Sequence, residues 1–250
     1  MSIGGTVSIG GTVSIGGAVA GADVRDRLAV ALDVDDLDRA IEMAVRVAPW
    51  FGVAKVGLEL WAAAGPPAVE RLQQAGLRVF CDLKLHDIPT TVGRASRVIG
   101  RLGVSYVTLH AAGGEAMLRA GAEGLAEGAS EAGVRAPCAL GVTVLTSEPD
   151  ASPFDARLAL AVASGCGGVV CSVQELSRVK SQHPGLVAVV PGIRPKGSDV
   201  DDQARVGTPG DVARSGADVL VVGRPVTAAV SPEDAARRIH DEVAATHVDR

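Results

Sequence analysis

Two carboxylates and an ammonium fall within the six residues Asp82-Leu83-Lys84-Leu85-His86-Asp87, at the end of the largely apolar run Leu77-Arg78-Val79-Phe80-Cys81. If that run is a buried strand, its period of two puts Asp82 and Lys84 on one face. Asp87 then lies past the strand, in the turn that Pro89 stiffens. A charge facing the middle of a fold must be compensated by a partner or neutralised by a pKa shift. An Asp-Lys pair there reads as reactive chemistry, with a structural ion pair at a strand end as the alternative.

A second constellation concerns anions. Val221-Val222-Gly223-Arg224-Pro225 offers a glycine for close backbone approach and an arginine whose fork can grip phosphate oxygens. Pro191-Gly192-Ile193-Arg194-Pro195-Lys196-Gly197-Ser198 begins a polar loop that reaches past Gln203. It is too long for a mere connector and reads as a lid over the phosphate, or as a surface loop.

The elements that must position these groups come in a regular rhythm. Eight apolar runs alternate with helical segments: Leu28 to Leu32, Val53 to Val56, Val79 to Leu83, Ser105 to Leu109, Ala139 to Leu145, Gly168 to Cys171, Leu186 to Val190 and Val219 to Val222. Their starts lie about 27 residues apart, room for one strand, one helix and two short loops. Helical periodicity runs from Asp35 to Val47 and through Pro67 to Gln74, Val92 to Leu102, Glu115 to Glu131, Ala156 to Ser164, Gln174 to Ser181, Pro209 to Ser215 and Glu233 to Ala245. The expectation is an α/β fold, a (β/α)₈ TIM barrel of parallel strands in one domain. An open doubly wound sheet is the alternative, but no GxGxxG follows the first run.

In such a barrel the site gathers at the C-terminal strand ends. Asp33 closes the first run, Lys55 lies in the second, Asp82 and Lys84 close the third and His110 the fourth. Thr143 and Thr146 follow in the fifth, Arg194 follows the seventh and Gly223-Arg224 closes the eighth. Each has an easy structural explanation alone; their joint placement points to a site.

Composition narrows the class. Apolar residues make up 47% of the 250 and aromatics only 2%, a palette for close-packed Ala, Val, Leu and Ile between parallel strands and helices. A net charge of -5 without a basic cluster, and few aromatics for base stacking, argue against nucleic acid as a partner. Cys81, Cys138, Cys166 and Cys171 form no CxxC pair and have no histidine at metal spacing, so they read as free thiols in a reducing cytosol. No run is long enough for a membrane span, and a soluble, cytoplasmic protein is expected. Residues 1–23 hold three Gly-rich repeats, Ser2 to Val7, Ser8 to Val13 and Ser14 to Val19. They read as a flexible tail before a barrel domain over 24–250, with pairing onto a sheet edge, or a start assigned too far upstream, as alternatives.

From Leu28 onward the chain resembles the orotidine 5′-phosphate decarboxylase family. The passages that carry the resemblance are Ala31-Leu32-Asp33, Lys55-Val56-Gly57, Asp82 through Thr91, Val142-Thr143-Val144-Leu145-Thr146-Ser147, Pro191-Gly192-Ile193-Arg194-Pro195, Asp202-Gln203 and Val222-Gly223-Arg224-Pro225. The resemblance implies decarboxylation of orotidine 5′-phosphate to UMP and CO₂, the last step of UMP synthesis, with no metal and no organic cofactor. It assigns Lys84 as the cation beside C6 and the proton donor, Asp82 beside the departing carboxylate, and Lys55 and Asp87 as completing an alternating charge array. It further implies that Asp33 and Lys55 hold ribose hydroxyls, Thr146 the pyrimidine edge, and Arg194, Gln203, Gly223 and Arg224 the phosphate. The whole passage Asp82, Leu83, Lys84, Leu85, His86, Asp87, Ile88, Pro89, Thr90 and Thr91 is implied to line the substrate. Asp87 and Thr91 are implied to serve the neighbouring subunit's site, which makes the expected assembly a homodimer.

Sugar-phosphate relatives that share the Asp-x-Lys-x-x-Asp pattern use Mg²⁺, with an acidic ligand where this chain has Lys55; a cation there would repel the metal. A non-catalytic nucleotide-binding barrel is the other rival, and the intact Asp82, Lys84, Asp87 array speaks against it.

Overall fold

A computed structural model describes residues 23–145, 148, 150–195 and 207–246. The Gly-rich repeats, Thr146 and Gln203 lie outside the described residues. Eight parallel strands close into a barrel in chain order: β1 (Leu28–Leu32), β2 (Val53–Val56), β3 (Arg78–Leu85), β4 (Tyr106–His110), β5 (Cys138–Val142), β6 (Gly168–Val170), β7 (Val187–Val190) and β8 (Val219–Val222). The helices between them are α1 (Leu37–Val47), α2 (Leu58–Ala64), α3 (Pro66–Gln74), α4 (Pro89–Gly100), α5 (Gly114–Ala132), α6 (Phe154–Ala163), α7 (Val173–Gln182), α8 (Pro209–Arg214), α9 (Arg224–Thr227) and α10 (Pro232–Ala245). The expected (β/α)₈ barrel is the fold. Among the described residues no helix is long and apolar enough to cross a membrane.

The strand alternation sorts side chains into two separate apolar clusters. Ala29, Ala31, Val53, Phe80, Leu140, Val189, Val219 and Val221 fill the barrel interior. Their sequence neighbours Val30, Leu32, Ala54, Val56, Val79 and Cys81 pack outward with the helices. The interior is therefore a plug of small and branched side chains around one aromatic pair, Phe80 and Tyr106. Two residues on from inner-layer members Val53 and Phe80 stand Lys55 and Asp82, so the polar layer sits directly on top of the apolar one. The opposite end is closed by the 3-10 turn Val24–Arg27, where Arg25 O accepts from Gly52 N and Arg27 donates to Ala217 O.

Several boundaries differ from the sequence expectation. β3 runs on to Leu85 through a bulge, and β5 stops at Val142, where the Thr143 N–H and hydroxyl both donate to Val170 O. The connection from β2 to β3 holds two helices, split at Gly65 (φ 58), where only the second was expected. α4 begins three residues before Val92, with Pro89 at its first position, where a missing N–H costs nothing. The short α9 after β8 was not among the expected helices.

α4 and α5 pack backbone to backbone through glycine. A Cβ on Gly124 would be driven into the carbonyl of Gly93, and one on Gly128 into the carbonyl of Arg97. Gly128→Ala should therefore destabilise the fold by about 2 kcal/mol or more, while Gly185→Ala, with open space around it, should stay within about 0.5 kcal/mol in urea unfolding.

Candidate active site at the C-terminal strand ends

A cavity of about 730 Å³ opens at the C-terminal end of the barrel. Its walls bring together Asp33 from the end of β1, Lys55 from β2, Asp82 and Lys84 from β3, Arg194 beyond β7, and Gly223 and Arg224 from the β8 to α9 turn. Val142, Val170, Val189 and Val221 supply apolar wall between them. Chemistry-bearing groups singled out on separate strands and strand ends thus meet in one space.

The charged groups form a single alternating row. Asp33 Oδ1 lies 2.9 Å from Lys55 Nζ, Lys55 Nζ lies 3.6 Å from Asp82 Oδ2, and Asp82 Oδ1 lies 2.9 Å from Lys84 Nζ. Two ammoniums and two carboxylates sum to zero, the condition for keeping such a cluster out of water. Lys55 sits deepest, its side chain 9% exposed, with a carboxylate on either flank. Lys84 has one carboxylate neighbour in the row and is 33% exposed, so its ammonium stands at one end of the row, in the cavity wall, with the more exposed Asp33 at the other. Gly57 makes room for the Asp33 to Lys55 contact: a Cβ there would come 2.5 Å from Asp33 Oδ1 and 3.1 Å from Lys55 Nζ.

Burial pushes the Asp82 carboxyl up, but the ammoniums of Lys55 and Lys84 and hydrogen bonds from Lys84 and Thr108 outweigh it and hold the group below the usual carboxylate range. Asp82 is therefore an anion. Thr108 is a residue that sequence reasoning did not single out. Fully buried on β4, its hydroxyl lies 2.8 Å from Lys84 N and 3.1 Å from Asp82 Oδ1. Its only sequence signal is a polar residue in the apolar run Tyr106-Val107-Thr108-Leu109, at a period of two from His110.

The rest of the implied substrate passage lies elsewhere in this protomer. Leu83 points into the outer apolar cluster and Leu85 packs against it. His86, Asp87, Ile88 and Pro89 line a separate, shallow depression of about 580 Å³ with Ala112 and Gly113. Thr90 and Thr91 are exposed on the first turn of α4. Asp87 is outside the cavity, with its Oδ1 accepting from Ile88 N at 2.6 Å, so within one chain Asp33 and not Asp87 supplies the second carboxylate of the row.

The His86 and His110 rings stack at 5.2 Å, and His110 Nδ1 accepts from Ala112 N at 3.2 Å. Burial, then the neighbouring His86 ring and the Arg157 guanidinium, lower the His110 pKa. Arg194 is buried and donates to Ile193 O, and the bridge between Ile193 and Gly207 ties together the two ends of the connection that holds Gln203. All four cysteine thiols are pushed up to about 12, first of all by burial, and stay protonated. Among the described residues no group of three or more His, Cys, Asp or Glu side chains could hold a metal ion.

Both depressed groups make stability depend on pH with the same sign. An unfolded chain binds the protons that folded His110 and Asp82 refuse, so the stabilisation is complete above their ordinary pKa values and fades as pH falls through the lowered ones. The melting temperature should fall from about pH 8 to about pH 5, and His110→Asn should flatten the decline in the imidazole range; calorimetry at stepped pH measures both.

Comparison with known proteins fits this geometry. The family described as Orotidine 5'-phosphate decarboxylase / HUMPS matches residues 26–239. An orotidine 5'-phosphate decarboxylase of Moorella thermoacetica is 46% identical over 233 residues, covering 88% of this chain and 92% of that protein. One from Anaeromyxobacter dehalogenans is 47% identical over 228 residues, covering 86% and 96%. Among solved structures, orotidine 5'-phosphate decarboxylase from Lactobacillus acidophilus aligns with a TM-score of 0.73 and 33% identity, over 87% of this chain and 99% of that one. The match spans the barrel from the closing turn before β1 into α10 and includes every strand whose end lines the cavity. The chain belongs to the orotidine 5′-phosphate decarboxylase / HUMPS family.

Proposed function

We propose that this protein converts orotidine 5′-phosphate to UMP and CO₂ in pyrimidine synthesis, without metal or organic cofactor, and that Lys84 delivers the proton to C6. The observation that carries the reading is the Asp33, Lys55, Asp82, Lys84 row, with the Lys84 ammonium at one end of it in the cavity wall.

Departure of CO₂ from C6 leaves an electron pair in the plane of the pyrimidine, where the ring π system stabilises it poorly. Fixed charge at that carbon is then the main resource, and it acts most strongly where water is excluded. Lys84 suits both steps, because its positive charge favours the carbanion-like transition state and its N–H then supplies the proton. Asp82, held ionised between Lys55 and Lys84, accepts a hydrogen bond from the Lys84 ammonium and aims it. The same carboxylate is assigned to the place beside the departing substrate carboxylate. Lys55 fills the space between Asp33 and Asp82 that a divalent ion would need, which supports metal-free chemistry over the Mg²⁺-dependent branch of the family.

Asp33 and Lys55 are assigned to the ribose hydroxyls, Thr146 to the pyrimidine edge, and Arg194, Gln203, Gly223 and Arg224 to the phosphate. Arg224 and Gly223 line the same cavity as the charged row, at the turn from β8 into α9. Phosphate binding remote from C6 raises the rate when it drives closure around the reacting carbon.

Asp87 and Thr91 are assigned to a neighbouring subunit's site in a two-fold dimer. Their exposure outside their own cavity, beside Ile88 at 65% exposed, supports that arrangement.

In a spectrophotometric assay with orotidine 5′-phosphate, turnover should persist in excess chelator. Lys84→Ala should lower kcat at least about 10³-fold while UMP still binds; near-normal turnover would remove Lys84 from the chemistry. Arg224→Ala should raise KM about 10- to 100-fold with a smaller change in kcat. Mixing inactive Lys84→Ala and Asp87→Ala proteins under subunit exchange should restore about a quarter of parental activity, because one site of each hybrid dimer is intact. No recovery after verified exchange would place Asp87 in its own protomer.

A further inference from the structure

Among the described residues Lys84 is the one non-glycine with a left-handed backbone, φ 48. That conformation is costly for a long side chain and persists only where the surroundings impose it. The imposing feature is a mismatch between β3 and β4. Phe80 pairs with Tyr106 and Cys81 with Val107, and pairing resumes at Leu85 with Leu109. Three residues of β3, Asp82, Leu83 and Lys84, thus face one residue of β4, Thr108. The bulge brings Asp82 and Lys84 to the same side of the strand, but it takes their backbone groups out of the regular ladder.

Thr108 replaces what the ladder loses. Lys84 N–H can only donate, so at 2.8 Å the Thr108 oxygen accepts. A hydroxyl has one proton, and at 3.1 Å from an ionised carboxylate that proton goes to Asp82 Oδ1. Asp82 Oδ1 is the same atom that accepts from Lys84 Nζ at 2.9 Å. Backbone N–H, hydroxyl, carboxylate and ammonium therefore close a ring that begins and ends on Lys84. Thr108 is fully buried, so no bulk water competes for its hydroxyl.

We infer that Thr108 is a positioning residue for the reaction: its hydroxyl locks the bulge, sets the angle at which Lys84 enters the cavity, and fixes Asp82 as the ammonium's acceptor. It does this without lining the cavity. The inference rests on the decarboxylase reading and adds to it the group that sets the geometry of the reacting pair.

The hydroxyl can be removed at nearly constant shape. Thr108→Val keeps the branched, buried side chain and deletes both hydrogen bonds; Thr108→Ser keeps both. A misplacement of the Lys84 ammonium on the order of 1 Å should lower kcat about 100-fold in Thr108→Val, with KM within about threefold because the phosphate groups come from β7 and β8. Thr108→Ser should retain kcat within about fivefold. The loss of one donor to Asp82 should also move its titration to higher pH in Thr108→Val and not in Thr108→Ser, read from the carboxyl carbon by NMR in the folded protein.

A folded Thr108→Val protein with kcat within about threefold of the parent would overturn the inference, as would a Ser variant as impaired as Val. The Asp82 titration needs no turnover. If it is unchanged in Thr108→Val, Thr108 does not hold the carboxylate, whatever reaction the chain performs. If Asp82 titrates higher in Thr108→Val than in the parent but the parent never decarboxylates, the assigned reaction falls while the hold of Thr108 on Asp82 and Lys84 stands.

Discussion

Asp82 shared between two ammoniums is the contact from which the rest of the site follows. With Lys55 at 3.6 Å on one side and Lys84 at 2.9 Å on the other, the carboxylate stays ionised in spite of burial. Remove the carboxylate and two cations would face one another with only Asp33 near Lys55; remove either cation and burial would favour the protonated acid. The arrangement is a constraint on the whole barrel, because its members come from separate strands. β1, β2 and β3 must hold their register for a row of four charges to alternate over contacts of 2.9 to 3.6 Å.

The apolar plug beneath serves the same end. Val53 and Phe80 fill the interior one layer below Lys55 and Asp82, which denies water a route from below. A charged layer on an oily floor has strong internal electrostatics, because nearby solvent is the usual source of screening. The plug is built from Ala, Val and Leu side chains around the Phe80 and Tyr106 pair, all beneath the charged row.

Much of this was legible along the chain. Apolar runs ending in charged residues mark the strands and their C-terminal ends together, and Asp33, Lys55, Asp82, Lys84, Arg194 and Arg224 all reach the one cavity. What spacing does not encode is distance between strands. Asp33 reads as a helix cap or a sugar ligand, and only closure of the barrel reveals it as the partner of Lys55. Thr108 escaped for a related reason: its role arises from a register slip on the adjacent strand, and the slip has no signature in Tyr106-Val107-Thr108 itself. The strictly alternating strand expected through Leu83 is in fact a bulged one, and it reaches the expected same-side placement of Asp82 and Lys84 by way of a left-handed residue. The missed helix Leu58–Ala64 is a stretch too short and too uniformly apolar for helical periodicity to emerge.

The glycine seam between α4 and α5 joins two regions of the barrel end. α4 follows the bulged strand and starts with the turn that exposes Asp87; α5 follows the strand that holds Thr108 and packs Gly121 on Leu109. Carbonyls sit where side chains would ordinarily separate the two helices, so any side chain added at Gly124 or Gly128 would force them apart. The exposed start of α4 and the backbone beside Thr108 are thus joined through one continuous run of direct contacts, from the outer rim of the barrel to the hydroxyl that bonds Lys84.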